Sequence, residues 1–215
     1  MTLEPSVLVM VKAPRAGRVK TRLDPLLGPQ GCAWLAAALL THTVSVAIAS
    51  GFEVTVAYDP PDAREEVATL VPSGVGMVAQ SGGDLGHRMA TAAAGPLDRG
   101  RPAVLIGTDA PTLRAETLWE AAERLDRADV VIGPAADGGY YLVGLARAVP
   151  EVFRLGPIWG GPSVLVESLH AAAKAGASVS LLDMRRDLDT PEDAAALLAD
   201  PDLPPAVRHV LTLTV

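Results

Sequence analysis

Cysteine and aromatic residues are scarce in this chain. Cys32 is the only cysteine in 215 residues, which excludes an intrachain disulfide and a thiolate zinc cluster. Its setting, GCAWLAAALL, reads as a helix, where a thiol packs as a small inert apolar group. Aromatics make up 4% of the chain, so the core has to be built from Ala, Val and Leu. The four histidines, His42, His87, His170 and His209, are scattered without ligand spacing, and no zinc site is expected. Apolar runs break before roughly 18 residues, and Met1 is followed by no charged and then apolar leader pattern. The expectation is a soluble cytoplasmic protein with no membrane partner. A surplus of positive charge is also missing: the formal net charge is −7 and the isoelectric point is near 5.0, which argues against a nucleic-acid partner. With 49% hydrophobic and 20% charged residues, a packed core is expected.

Against that acidic background, Val7 to Leu23 (VLVMVKAPRAGRVKTRL) stands out. A buried-strand pattern runs into a loop where Lys12, Arg15, Arg18, Lys20 and Arg22 fall with no acid among them. Charge alone allows a solvated face, but in open α/β sheets ligands sit beyond the carboxyl ends of the strands, where this loop lies. It is neither a Walker loop, since Gly17 is the only nearby glycine before Lys20 and Thr21, nor a dinucleotide fingerprint. Five cations exceed what one phosphate needs and suit a triphosphate or pyrophosphate.

The remaining pattern alternates. Short apolar runs at 53–58, 75–79, 103–106, 130–132 and 178–182 are interleaved with helical stretches at 28–50, 63–70, from the end of QSGGDLG to about 94, 114–127, 163–175 and 191–198. This spacing predicts right-handed crossovers and one α/β domain over 1–215 with a largely parallel sheet. Tyr140 to Leu145 reads as an added, antiparallel strand. No repeat or linker marks a boundary.

Three acidic blocks carry chemical interest. Asp109, after the fourth strand, serves either as a helix cap or as a ligand for a hard cation. Asp137, Gly138 and Gly139 read as a hairpin turn or as part of a site. In DLDTPED, Thr190, Pro191 and the following acids are a helix start. That leaves Asp187 and Asp189 as a second arm of a metal site, or as partners of Arg185 and Arg186. The glycine-rich QSGGDLG suits close approach of a base or a sugar.

In their order, KAPRAGRVKTRL, QSGGDLGHRM, IGTDAPTL, GPAADGGYYLVGL, Trp159 and DLDTPEDAAAL resemble the bacterial GT-A-type family labelled arsenosugar-biosynthesis-type glycosyltransferases, over roughly Val7 to Leu198. His87 stands where that family more often has Glu, and WGGPS is a loose version of its tryptophan segment. The chain is also similar to 2-phospho-L-lactate guanylyltransferases through Lys20, Thr21, Arg22, Leu23 and DLDTPED. These likenesses imply a single-domain, three-layer α/β/α nucleotide-diphospho-sugar transferase fold. They imply that Ala13, Pro14, Gly17, Arg18, Arg22, Gln80, Gly82, Gly83 and Asp84 meet the nucleotide, that Lys12, Arg15 and Lys20 act on its phosphates, and that Asp109 and Asp189 hold Mg²⁺ or Mn²⁺. Asp137, Gly138, Gly139, Tyr140 and Trp159 fall to the acceptor. TDAP carries one Asp where nucleotide-sugar glycosyltransferases typically carry a DxD pair. The residues therefore lean toward nucleotidyl transfer from a nucleoside triphosphate to a small anionic acceptor. Glycosyl transfer from a nucleotide-sugar is the close competitor, a non-catalytic nucleotide-sensing module is a third reading, and a homodimer is left open.

Overall fold

Two strands set the frame. β1 (Ser6–Lys12) is buried apart from the half-buried Met10 and its exposed last residue, and β4 (Ala103–Ile106) is buried throughout, as expected of apolar runs in the middle of a parallel sheet. A computed structural model describes residues 4–213. Beside these two strands lie β2 (Glu53–Asp59), β3 (Gly76–Ala79), β5 (Val130–Pro134), β6 (Tyr140–Leu145) and β7 (Val179–Leu181), in the order β3-β2-β1-β4-β6-β5-β7. Every neighbouring pair is parallel except those of β6, which runs antiparallel between β4 and β5. The expected added strand is therefore present and antiparallel.

Register decides what meets at the sheet's edge. Val9 pairs with Ile106, so Lys12 and Asp109, each three residues further on, leave adjacent strands at the same end. Reversal of β6 brings its first residue, Tyr140, opposite Pro134 at that end too, together with the Asp137–Gly139 turn. Beyond β7 the chain continues parallel to the end of β5, with the Arg185 N–H donating to the Pro134 carbonyl at 3.0 Å and the Leu188 N–H to the Asp109 carbonyl at 2.7 Å. Four distant segments thus converge.

Helices cover both faces. On one side α1 (Asp24–Ala49), α2 (Arg64–Ala68) and α4 (Ala115–Leu125) bury Leu40, Val44, Val67, Leu118 and Ala121 against the sheet. On the other, α3 (Leu85–Asp98) and α5 (Val164–Lys174) bury Met89, Ala93 and Ala172. The result is a single three-layer α/β/α domain. α6 (Pro191–Leu198) and α7 (Pro205–Thr212) close a third cluster with α1 through Leu35, Leu39, Leu197 and Val207. α7 was not expected from the sequence. α1 starts earlier than its apolar pattern, because the chain bends at Gly28 (φ 65°) and joins two helical pieces. Residues 21–49 are the one described stretch long and apolar enough to cross a membrane by composition, and Leu35, Leu39, Leu40 and Val44 from it are fully buried inside the fold.

Candidate functional site

The converging segments enclose a cleft of about 610 Å³. Its focus is Lys20. The preceding loop turns at Gly17 (φ 70°), and Lys20 itself adopts a left-handed backbone (φ 50°), uncommon for a residue with a Cβ. Its carbonyl accepts from the Leu23 N–H at 2.8 Å and from the Cys32 thiol at 3.2 Å. So pinned, the side chain is only 6% exposed, and Nζ stands 2.5 Å from Asp109 Oδ1, 3.8 Å from Asp189 Oδ1 and 2.7 Å from the Leu188 carbonyl. Arg22 reaches the other Asp189 oxygen at 2.9 Å.

Lys12, Arg18, Gln80, Asp137, Gly139, Tyr140 and Trp159 also line this cleft, so most of the residues singled out in the sequence do meet. Lys12 and Arg18 line it without forming an ion pair among the described residues. The buried Gln80 amide donates to the Val11 and Ala57 carbonyls at 3.1 and 2.8 Å, tying the ends of β1 and β2 together. Asp137 accepts from the Gly139 N–H at 2.8 Å, and Gly138 (φ 91°) packs against Pro162, whose carbonyl would lie 2.1 Å from any Cβ added there. Tyr140 and Trp159 meet edge to face at 6.2 Å, forming an aromatic wall opposite the cationic loop.

Other expected residues sit elsewhere. Arg15 faces Glu66 of α2, which holds it at 2.8 Å, and Asp62 in the turn before that helix, at 3.3 Å. Charge pairing across the loop turn claims this guanidinium, and it does not line the cleft. Ala13 is buried, with its N–H donating to the Asp59 carbonyl at 2.7 Å. Asp84 caps α3, accepting from the His87 N–H at 2.8 Å. Pro14, Gly17, Gly82 and Gly83 shape the two loops without lining the cleft.

Arg88 was missed. It lines the cleft from α3 and pairs with Asp59 at 3.3 Å. The available signal was its place two residues after the glycine-rich QSGGDLG, in the first turn of the helix that follows.

The carboxylates bear on the metal expectation. Among the described residues no group of three or more His, Cys, Asp or Glu side chains is already gathered for an ion, because Asp109 and Asp189 meet on the Lys20 ammonium. The donor set nonetheless fits a hard cation, being all carboxylate oxygen. Asp187 Oδ1 is buried without a hydrogen-bond partner. Burial, then the Asp109 and Asp137 carboxylates, push the Asp187 carboxyl up to about 7, against the pull of Lys20. Such an orphaned acid among like charges is what an added cation would relieve.

A family model described as "Uncharacterized protein conserved in bacteria (DUF2064)" matches residues 42–160. The chain belongs to DUF2064. The matched segment carries Gln80, Asp109, Asp137, Tyr140 and Trp159, while the cationic loop and Asp187 to Asp189 lie outside it. A search of curated proteins found no match. Among solved structures, a provisionally named nucleotide-diphospho-sugar transferase from Desulfovibrio desulfuricans G20 is 30% identical, with a TM-score of 0.89 over 98% of this chain and 94% of that one. Rv0371c from Mycobacterium tuberculosis H37Rv, solved with manganese, is 21% identical, with a TM-score of 0.59 over 91% of this chain and 99% of that one. A nucleotidyl transferase from Methanothermobacter thermautotroptrophicus is 18% identical, with a TM-score of 0.60 over 90% and 95%. The fold of this DUF2064 member is thus that of nucleotide-diphospho-sugar transferases.

Proposed function

We propose that the protein is a divalent-metal-dependent nucleotidyltransferase, moving a nucleoside monophosphate from a nucleoside triphosphate to a small anionic acceptor. The observation that carries this reading is the Lys20 ammonium at the focus of the cleft, between Asp109 and Asp189 and beside Lys12, Arg18 and Arg22. An acceptor oxygen attacks the α-phosphorus, the bond from that phosphorus to the bridging oxygen breaks, and pyrophosphate leaves with the electron pair. Lys12, Arg18 and Arg22 offset the triphosphate's charge and hold it in line. Lys20 donates to the phosphoryl oxygens where charge grows. Asp109 and Asp189 would hold the divalent ion, with Asp187 beside them; when bound, it neutralises phosphate charge. The named likenesses agree: one neighbour in fold is called a nucleotidyl transferase, another was solved with manganese, and DLDTPED resembles guanylyltransferases.

A second reading has an observation of its own. The Tyr140–Trp159 wall with Asp137 nearby offers an apolar platform and a hydrogen-bond acceptor, which suit a sugar ring and glycosyl transfer from a nucleotide-sugar.

³¹P NMR separates the two. With each nucleoside triphosphate, Mg²⁺ and an extract of small acceptors, pyrophosphate is expected; nucleoside diphosphate appearing from a nucleotide-sugar instead would establish glycosyl transfer. Lys20→Ala should slow turnover on the order of 10²-fold or more, and normal turnover would remove Lys20 from the mechanism.

A further inference from the structure

An ammonium has three N–H donors and no more. In Lys20 two are engaged: Nζ contacts Asp109 at 2.5 Å and the Leu188 carbonyl at 2.7 Å, and faces Asp189 at 3.8 Å, an ion-pair distance outside hydrogen-bond range. Held by these partners, the ammonium has at most one N–H left for a phosphate. The same two carboxylates cannot ligate a divalent ion at its roughly 2.0 to 2.6 Å bond lengths while an ammonium stands between them. Both demands of the proposed chemistry therefore fall on one contact.

We infer that Lys20 and a divalent cation compete for the Asp109–Asp189 pair. Lys20 is the internal counter-ion of the metal-free site, and metal binding displaces its ammonium toward the phosphates. This rests on the metal-nucleotide reading above and adds an order to it, since Lys20 becomes available only once metal has arrived. Three features support the exchange. Without a cation, Asp109 and Asp189 would face each other beside the buried Asp187 oxygen, so a resident positive charge stabilises the empty fold. Asp187 Oδ1 has no partner in the ammonium-held state; an ion demanding six or more oxygens could use it, whereas a three-donor ammonium does not. The backbone of Lys20 does not depend on where Nζ lies, because its carbonyl accepts from Leu23 and Cys32.

The test uses Mn²⁺ alone. Binding is followed by loss of the free-ion EPR signal in the wild type and in Lys20→Met, which keeps the stem and removes the charge. Methionine should bind Mn²⁺ more tightly, on the order of tenfold, the size expected from removing one unit charge about 4 Å away in a partly screened site. A second measurement needs no variant. Acetylation of wild-type amines, read by mass spectrometry, should spare Lys20 without metal and modify it once Mn²⁺ is added, with the exposed Lys174 as internal reference. Equal or weaker Mn²⁺ binding in Lys20→Met, or a Lys20 that stays protected while Mn²⁺ binds, overturns the competition and leaves the metal-nucleotide reading standing. Failure of both proteins to take up Mn²⁺ overturns the competition and the metal-nucleotide reading together. If Lys20→Met does not fold, the acetylation result decides.

Discussion

Gly86→Ala adds one methyl group where two physical effects oppose each other. Gly86 lies in the first turn of α3, and a Cβ there would fall 1.9 Å from the Phe153 carbonyl oxygen and 2.7 Å from Trp159 Nε1. The first distance is about 1.5 Å short of an ordinary contact, and the obstruction is backbone, which cannot rotate away. Overpacking of this kind costs about 1–3 kcal/mol. A 1.9 Å approach to backbone belongs in the upper part of that range, about 2–3 kcal/mol, and replacing glycine in a helix returns at most about 1 kcal/mol of helix propensity, so steric strain wins by roughly 1–2 kcal/mol. In a chain of this size each kcal/mol moves the midpoint by roughly 2–4 °C, which predicts a fall of about 2–8 °C in thermal denaturation followed by circular dichroism. The strain is local: it displaces Trp159 and the Phe153 turn, the wall opposite the cationic loop. The near-UV tryptophan signal should change, and KM for the acceptor should rise while KM for the nucleotide holds. A variant that melts at or above the wild-type temperature, with an unchanged tryptophan spectrum, would refute the close packing of α3 on this wall.

Two further outcomes follow from burial and capping. Burial first, then Asp24, pushes the Cys32 thiol up to about 12, and the residue is fully buried; Ellman's reagent at pH 8 should therefore leave the native protein unmodified and titrate one thiol per chain after denaturation. Burial acts to raise the Asp193 carboxyl, but the Thr190 hydroxyl, Arg186 and the N–H groups of Thr190 and Asp189 outweigh it and hold the group below its ordinary value. A carboxyl lowered in this way contributes stability above the unfolded-state value near 4 and loses it as pH falls through the folded value. Asp193→Ala should thus cost about 1 kcal/mol at pH 7, with the gap to wild type in denaturant titrations closing below about pH 4.

How much of this was legible beforehand depends on whether the signal was local. β1 and β4 could be read because a strand buried on both faces needs an unbroken apolar run, and Thr190-Pro191 could be read because a capping box is a property of four consecutive residues. α7 was hidden: Val207, Val210 and Leu211 form its buried stripe, but two turns following Pro204 and Pro205 give too short a period to separate from a loop. The direction of Arg15 was hidden for a different reason. A run of cations in sequence says nothing of which acids the fold sets beside each one, and Glu66 lies 51 positions away in a helix that the run cannot report. Arg88 was overlooked because its significance comes from the meeting of α3 with the ends of β1 and β2.

The single aspartate in TDAP gains its meaning from the same non-local geometry. A DxD pair puts both carboxylates on one loop, so that loop alone fixes their spacing. Here the second carboxylate comes about 80 residues later, on a segment joined to the first by the hydrogen bond from the Leu188 N–H to the Asp109 carbonyl and by Lys20. Spacing between the two acids is therefore a property of tertiary packing, set by the exit from β7 and by the capping box that anchors α6 directly after Asp189. Changes that loosen α6 should then weaken metal binding even though they touch no ligand, because they release one arm of the pair. The opening basic stretch is placed in the same way: Lys20 is held by acids that the fold delivers from positions 109 and 189.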